Sequence, residues 1–227
     1  MHIPDGYLGP QTYITTYGAF VFFAAKALKK IKEKLDLKYI PYVAMASAFS
    51  FLIMMFNVPI PGGTTGHAVG SAIVALIVGW EAAVIAVSVA LIIQAIVFAD
   101  GGITAIGANC FNMAVVMPYV AWHVFKWIKG NSTSEKRYYI AAFIAEYVSL
   151  NIAALLTAIM FGIQPIIANE NGVPLYSPYP LSVAIVAMMS EHLLLFGLIE
   201  GFVTAGVLKY FVNNKKDIIE SLKQESV

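Results

Sequence analysis

Three stretches of this chain contain no Lys, Arg, Asp or Glu: Pro41 to Val58, Ala82 to Ala99 and Ala105 to Val124. Each is long enough to cross the roughly 30 Å hydrocarbon core of a bilayer as an α-helix. Only 12% of the 227 residues are charged, about half the share of a soluble domain. The chain therefore reads as all-α, a polytopic membrane helix bundle. Its opening is no secretory signal, which would begin with a basic segment. The first basic residue is Lys26, and Pro4, Asp5, Gly6 and Pro10 suit a structured turn before the first helix.

The positive charges give a topology. All fourteen Lys and Arg residues fall in three clusters. They are Lys26 to Lys38, Lys126 to Arg137, and Lys209 to Lys223. Basic loops remain cytoplasmic. An apolar helix over 12–30 ends in the first cluster, which puts the N-terminus outside. The crossings between successive clusters must be even in number. Segments 40–57, 67–80, 82–99 and 106–127 supply four, and 137–162 and 181–211 supply two more. The expectation is seven transmembrane helices in a single domain covering 1–227, with the C-terminus and a 213–227 tail cytoplasmic. A five-helix arrangement, with 67–99 buried or re-entrant, stays open because 67–80 is short. Parity places the N-terminus and the loops 57–66, 100–107 and 162–180 on the outer side.

Of the four histidines, His2 and His67 fall on that outer side. Met1-His2 is a chelating dipeptide. Its free α-amine, the backbone nitrogen of His2 and the imidazole Nδ1 can close a five- and a six-membered ring on one metal ion. His67 ends the run Pro59-Ile60-Pro61-Gly62-Gly63-Thr64-Thr65-Gly66-His67, whose prolines and glycines forbid a regular helix. At membrane depth such backbone survives only where protein or a cavity surrounds it. His67 by itself is equally a residue that caps the turn. Paired with His2 it supplies a fourth nitrogen, and four nitrogens in a plane suit Ni(II), Cu(II) or low-spin Co(II).

The remaining polar residues have plain readings. His123, beside Trp122 and Trp127, suits an interfacial aromatic belt. The pair Glu191-His192 lies within an apolar stretch, where packing, a subunit contact or support of a site are the alternatives. Asp100-Gly101-Gly102 reads as a tight turn, and Asp100 is also placed to orient an imidazole or a backbone amide. Asn109, Asn112 and Asn151 suit interhelical hydrogen bonds. Cys110 is a lone, buried thiol. There is no phosphate-binding Gly-x-x-x-x-Gly-Lys-Ser/Thr loop, so ATP is not expected to be hydrolysed by that route, and there is no His-Glu-x-x-His zinc motif and no Gly-x-Ser-x-Gly nucleophile elbow.

Met1-His2-Ile3-Pro4-Asp5-Gly6-Tyr7-Leu8 strongly resembles the opening of the CbiM/NikM family. These are the substrate-specific (S) components of energy-coupling factor (ECF) transporters for cobalt and nickel. The run Pro59 to His67 is similar to the family's second signature. Asp100 to Asn109 with Phe111-Asn112-Met113-Ala114 is similar to a third, and His192-Leu193-Leu194 with Gly197-Leu198-Ile199-Glu200-Gly201 to the C-terminal one. The resemblance covers essentially the whole chain. It implies a six-helix core plus an N-terminal helix. It implies metal ligation by Met1, His2 and His67, with segment 1–10 inserted into the bundle. Asp5, Thr64, Thr65, Asp100, Asn109 and His192 are the expected supports of that centre.

The transported substrate would be Ni(II) or Co(II), with no organic cofactor. The implied partners are a transmembrane coupling (T) protein, a pair of cytoplasmic ABC ATPases and a small accessory membrane subunit, in the cell membrane of a prokaryote. No nucleic-acid partner is expected. The competing reading is an autonomous metal channel or secondary carrier.

Overall fold

In the computed structural model, residues 1–34, 39–56, 58–60, 64–132 and 134–214 are described. Seven helical segments organise them. Helix α1 is Pro10–Lys34, α2 is Ile40–Met54, α3 is Ser71–Val78 and α4 is Trp80–Val97. Helix α5 covers residues 106–129 as Ile106–Asn109, a π-helical Cys110–Val116 and Met117–Lys129. Helix α6 is Glu135–Gly162. Helix α7 covers residues 181–214 as Leu181–Glu191, a π-helical His192–Phe196 and Gly197–Asn214. Two short antiparallel pairs, β1 (Val58–Ile60) with β2 (Thr64–Gly66) and β3 (Asn169–Glu170) with β4 (Val173–Pro174), lie in the loops. A single helical turn, Gln164–Ile167, follows α6.

Local sequence explains several of these boundaries. Pro10 and Pro41 stand in the first turns of α1 and α2, where a missing N–H costs nothing. Pro118 lies inside α5, where its ring crowds the carbonyl four residues back and one helical hydrogen bond is lost. The wide π turn of Cys110–Val116 directly precedes it and absorbs the mismatch.

Among the described residues, three helical stretches are long and apolar enough to cross a membrane: Trp80–Val97, Glu135–Ile167 and Leu181–Asn213. The expected crossing at 67–80 is not a full helix. Residues 67–70 are irregular and α3 has eight residues, about 12 Å at 1.5 Å per residue. Helix α3 is almost wholly buried and touches α2, α4, α5, α6 and α7, which makes it the centre of the bundle. Around it the helices approach through small side chains. Ala75, Ala83, Ala86, Ala90, Ala141, Ala142, Ala145, Ala153 and Ala154 are fully buried, as expected where van der Waals contact between backbones drives association.

Helix α4 separates two chemically different ends. At its start, Glu81 accepts from the Nζ of Lys30 at 3.0 Å, joining the first basic cluster. Beyond its other end lies Asp100, beside the N-terminal segment. Lys34 and Lys38 of that cluster, and Lys215, Lys216 and Lys223 of the third, lie outside the residues whose side chains are described, as does most of the 213–227 tail. Asn151 does not bridge helices as expected: its Nδ2 donates to the Tyr147 carbonyl of its own helix at 2.7 Å.

Candidate metal centre

The first nine residues pack against the rest of the protein, with Met1, Ile3, Leu8 and Gly9 buried and Pro4, Asp5 and Gly6 exposed. Met1, Ile3 and Leu8 are buried among residues of the 100–109 region and α6. Three sets of hydrogen bonds hold the segment. Asn109 grips Ile3 at two points: its Oδ1 accepts from the Ile3 N–H at 2.9 Å, and its Nδ2 donates to the Ile3 carbonyl at 3.2 Å. The Gly102 N–H donates to that same carbonyl at 2.8 Å. Asp5 accepts from the Ile103 N–H at 3.0 Å, the Thr104 N–H at 2.8 Å and the Thr104 hydroxyl. Farther along, Gly9 donates to Gln164 Oε1 at 2.9 Å and Ser177 to the Tyr7 carbonyl at 3.1 Å.

The glycines after Asp100 make this docking sterically feasible. A Cβ on Gly102 would sit 2.3 Å from the Asp5 nitrogen and 2.7 Å from the Pro4 carbonyl carbon. Only a glycine lets the two backbones lie this close.

This anchoring brings the two ends of the expected donor set together. The Met1 α-amine is 3.5 Å from His67 Nε2. The His2 and His67 rings lie 4.6 Å apart, centre to centre, tilted by 30°. His67 Nδ1 lies 3.1 Å from the Ala68 carbonyl. A carbonyl only accepts, so Nδ1 carries the proton and Nε2, the atom facing the amine, carries the lone pair. Both His2 ring nitrogens are buried without a hydrogen-bond partner. His2 Nδ1 is 3.5 Å from Asp100 Oδ1.

Burial sets the protonation of the cluster. It pushes the Met1 amine down to about 6, opposed by Asp100 and, more weakly, Glu191 and Glu200. Burial and the nearby amine push His2 down to about 3. Desolvation disfavours the cationic form of each group, leaving nitrogen lone pairs free near neutral pH. Asp5 is held low by its hydrogen bonds, Thr104 first. Asp100 is raised by burial, which the amine partly offsets.

Among the described residues, no group of three or more His, Cys, Asp or Glu side chains is placed to hold a metal ion. The donors gathered here are two imidazoles and main-chain nitrogens. Of the expected supports, Asp5 and Asn109 fasten the N-terminal segment and Asp100 stands beside His2. The side chains of Thr64 and Thr65 lie outside the described residues. His192 is buried, and its Nδ1 donates to the Met188 carbonyl at 2.7 Å.

Two residues escaped the sequence reading. Gln94 on α4 is fully buried against His2, and both its amide atoms lack a hydrogen-bond partner. Glu200 on α7 accepts from the Val69 and Gly70 N–H groups. A lone Gln within the uncharged run Ala82–Ala99 was the available signal for the first, and an acid in the Gly197–Gly201 motif for the second.

Comparison with known proteins identifies the context of this centre. Residues 2–218 match the family described as CbiM, cobalt uptake substrate-specific transmembrane region. A fused nickel transport protein, NikMN, of Rhodobacter capsulatus is 50% identical over 221 residues, covering 96% of this chain. The chain spans 64% of that relative's length. A putative metal transport protein of Methanocaldococcus jannaschii is 44% identical over 227 residues, covering 99% of this chain and 97% of the relative. A crystal structure described as a truncated transition metal transporter superimposes with a TM-score of 0.88 at 46% identity, over 94% of this chain and 99% of the other. The chain belongs to the CbiM family, the cobalt uptake substrate-specific transmembrane region, and is a helical membrane protein.

Proposed function

We propose that this chain captures Ni(II) or Co(II) at the outer face of a prokaryotic cell membrane and delivers it for ATP-driven uptake, as the S component of an ECF transporter. The observation that carries this reading is the 3.5 Å approach of the Met1 amine to His67 Nε2 beside the buried, unpartnered His2 ring. The ion takes four nitrogens: the amine, the His2 backbone nitrogen, His2 Nδ1 and His67 Nε2. Gln94 is the acceptor available to the remaining His2 ring nitrogen, the support a ligating imidazole ordinarily requires. Such a planar nitrogen set favours Ni(II) and low-spin Co(II) over Zn(II), which prefers a tetrahedron.

The topology in this reading has seven crossings, the third made by irregular residues 67–70 with α3. The separation of Lys30–Glu81 from Met1–Asp100 along α4, about 27 Å for eighteen residues, supports an outer N-terminus. Segment 1–10 is the metal-binding part of a single domain. The energy comes from a coupling protein and a pair of ATPases, with a small accessory membrane subunit, none of which this chain supplies. Calorimetry on protein with an acetylated N-terminus, or with one residue added before Met1, tests the centre. Loss of Ni(II) and Co(II) binding is expected, and normal binding would end the proposal. Metal uptake by proteoliposomes holding this chain alone would favour a carrier instead.

A further inference from the structure

We propose that Glu200 is a positioning residue for the metal centre: from α7 it holds the two peptide N–H groups that follow His67 and so sets where His67 Nε2 stands. The inference rests on His67 being a ligand, as above. Glu200 Oε1 accepts from the Val69 N–H at 2.8 Å and from the Gly70 N–H at 2.6 Å. Both residues are buried, as is Glu200. The site is the start of α3, whose N-cap, Gly70, has φ of 71° and offers no side chain to cap the helix. Such a helix start leaves N–H groups unpaired and a partial positive charge. Here α3 lies in the bundle's centre, away from water, so its cap comes from another helix and is an acid.

Two further bonds make the grip specific. Ser50 on α2 donates to the Val69 carbonyl at 2.9 Å. Ser71 donates to the Met113 carbonyl, in the π turn of α5, at 2.6 Å. Residues 69–71 are therefore tied to three different helices, with Glu200 fixing the amide side and Ser50 the carbonyl side. His67 is two residues upstream, and its ring is oriented by the adjoining Ala68 carbonyl. The path from Val69 back to the imidazole is two planar trans peptides and the rotations of Ala68 and His67, and the ring's contact with the Ala68 carbonyl restrains the last of these, so a displacement of Val69 moves the imidazole. Outer partners that orient ligands in this way typically contribute 10–100-fold in metal affinity.

The test uses the full chain in detergent, Ni(II) calorimetry and the Ni(II) d–d absorption band, which reports the nitrogen field. Glu200→Met keeps the volume and removes the acceptor. It is expected to lower Ni(II) affinity about 10–100-fold and to move the band to longer wavelength, with thermal unfolding still cooperative. Glu200→Gln keeps an accepting oxygen and should bind within about twofold of the parent. Combined with His67→Ala, Glu200→Met should add no more than about a further twofold loss, because its effect passes through that ring. Parent affinity in folded Glu200→Met, or an undiminished loss in the His67→Ala background, overturns the inference. Where Glu200→Met does not fold, Glu200→Asp decides: one methylene short, it is expected to weaken binding, and parent affinity overturns the inference. His67→Ala with unchanged affinity would instead defeat the metal-centre reading itself.

Discussion

The α-amine of Met1 and Nε2 of His67, 66 positions apart in sequence, meet at 3.5 Å inside the protein. The contact is made by two segments that are not helical. Each is held by residues from elsewhere in the chain: Asn109 and the Gly102 loop for one, Ser50 and Glu200 for the other.

Metal affinity will fall as pH falls. Burial has already lowered the amine to about 6 and His2 to about 3, so above about pH 6 these nitrogens need not lose a proton to bind. Below that value the amine is protonated in the free protein and the ion must displace the proton. The His2 amide nitrogen must release its proton to ligate at any pH, so the dissociation constant for Ni(II) should rise about tenfold per unit as pH falls from 8 to 7, and more steeply below pH 6, where the amine must lose a proton as well. Calorimetry in buffers of different ionisation enthalpy will count the protons released. Affinity that is flat down to pH 5 would contradict the amine as ligand.

Asn109→Leu will separate docking of the terminal segment from folding of the bundle. It removes both hydrogen bonds to Ile3 and leaves at least the Ile3 N–H buried and unpaired, a cost of about 1–3 kcal/mol. The expected outcome is a 10–100-fold weaker Ni(II) complex with the helical circular-dichroism spectrum retained. Faster proteolysis near residues 1–9 should accompany it.

Gly102→Ala places a Cβ 2.3 Å from the Asp5 nitrogen. Backbone cannot yield as a side chain does, so the N-terminal segment must lift from the loop. Binding should fall below detection in an Ni(II) titration while the thermal midpoint changes little. Unaltered binding would show that this close approach is dispensable.

Gln94→Leu is expected to act with opposite sign on two observables. Without metal it removes a buried amide that has no hydrogen-bond partner, and leaving such a group unpaired costs about 1–3 kcal/mol, so the metal-free protein should be as stable or more so. With Ni(II) it removes the acceptor for His2, and affinity should drop about 10–100-fold. Thermal unfolding with and without metal measures both. A parallel change in the two would mean that Gln94 only packs.

The helical reading of the sequence agrees with the structure segment by segment, apart from 67–80. There the apolar pattern continued through Val69 and Gly70, but residues 67–70 are held open by bonds to α2 and α7, and only Ser71–Val78 is helical. The donors of the proposed metal centre were legible in part. Met1 and His2 are neighbours, so their chelate needs no fold, and charge parity placed His67 on the same side.

What the sequence determined by itself is whatever depends on composition or on adjacent residues: the uncharged runs that demand helices, the basic clusters and the Met1-His2 dipeptide. The tertiary structure decided which nitrogen of His67 is free, that Asn109 grips Ile3, that Gln94 lies against His2, and that Glu200 caps α3. Each of these joins residues brought together only by packing, some of them more than a hundred positions apart. A buried N–H must find an acceptor, but nothing local in the chain says which distant residue will supply it.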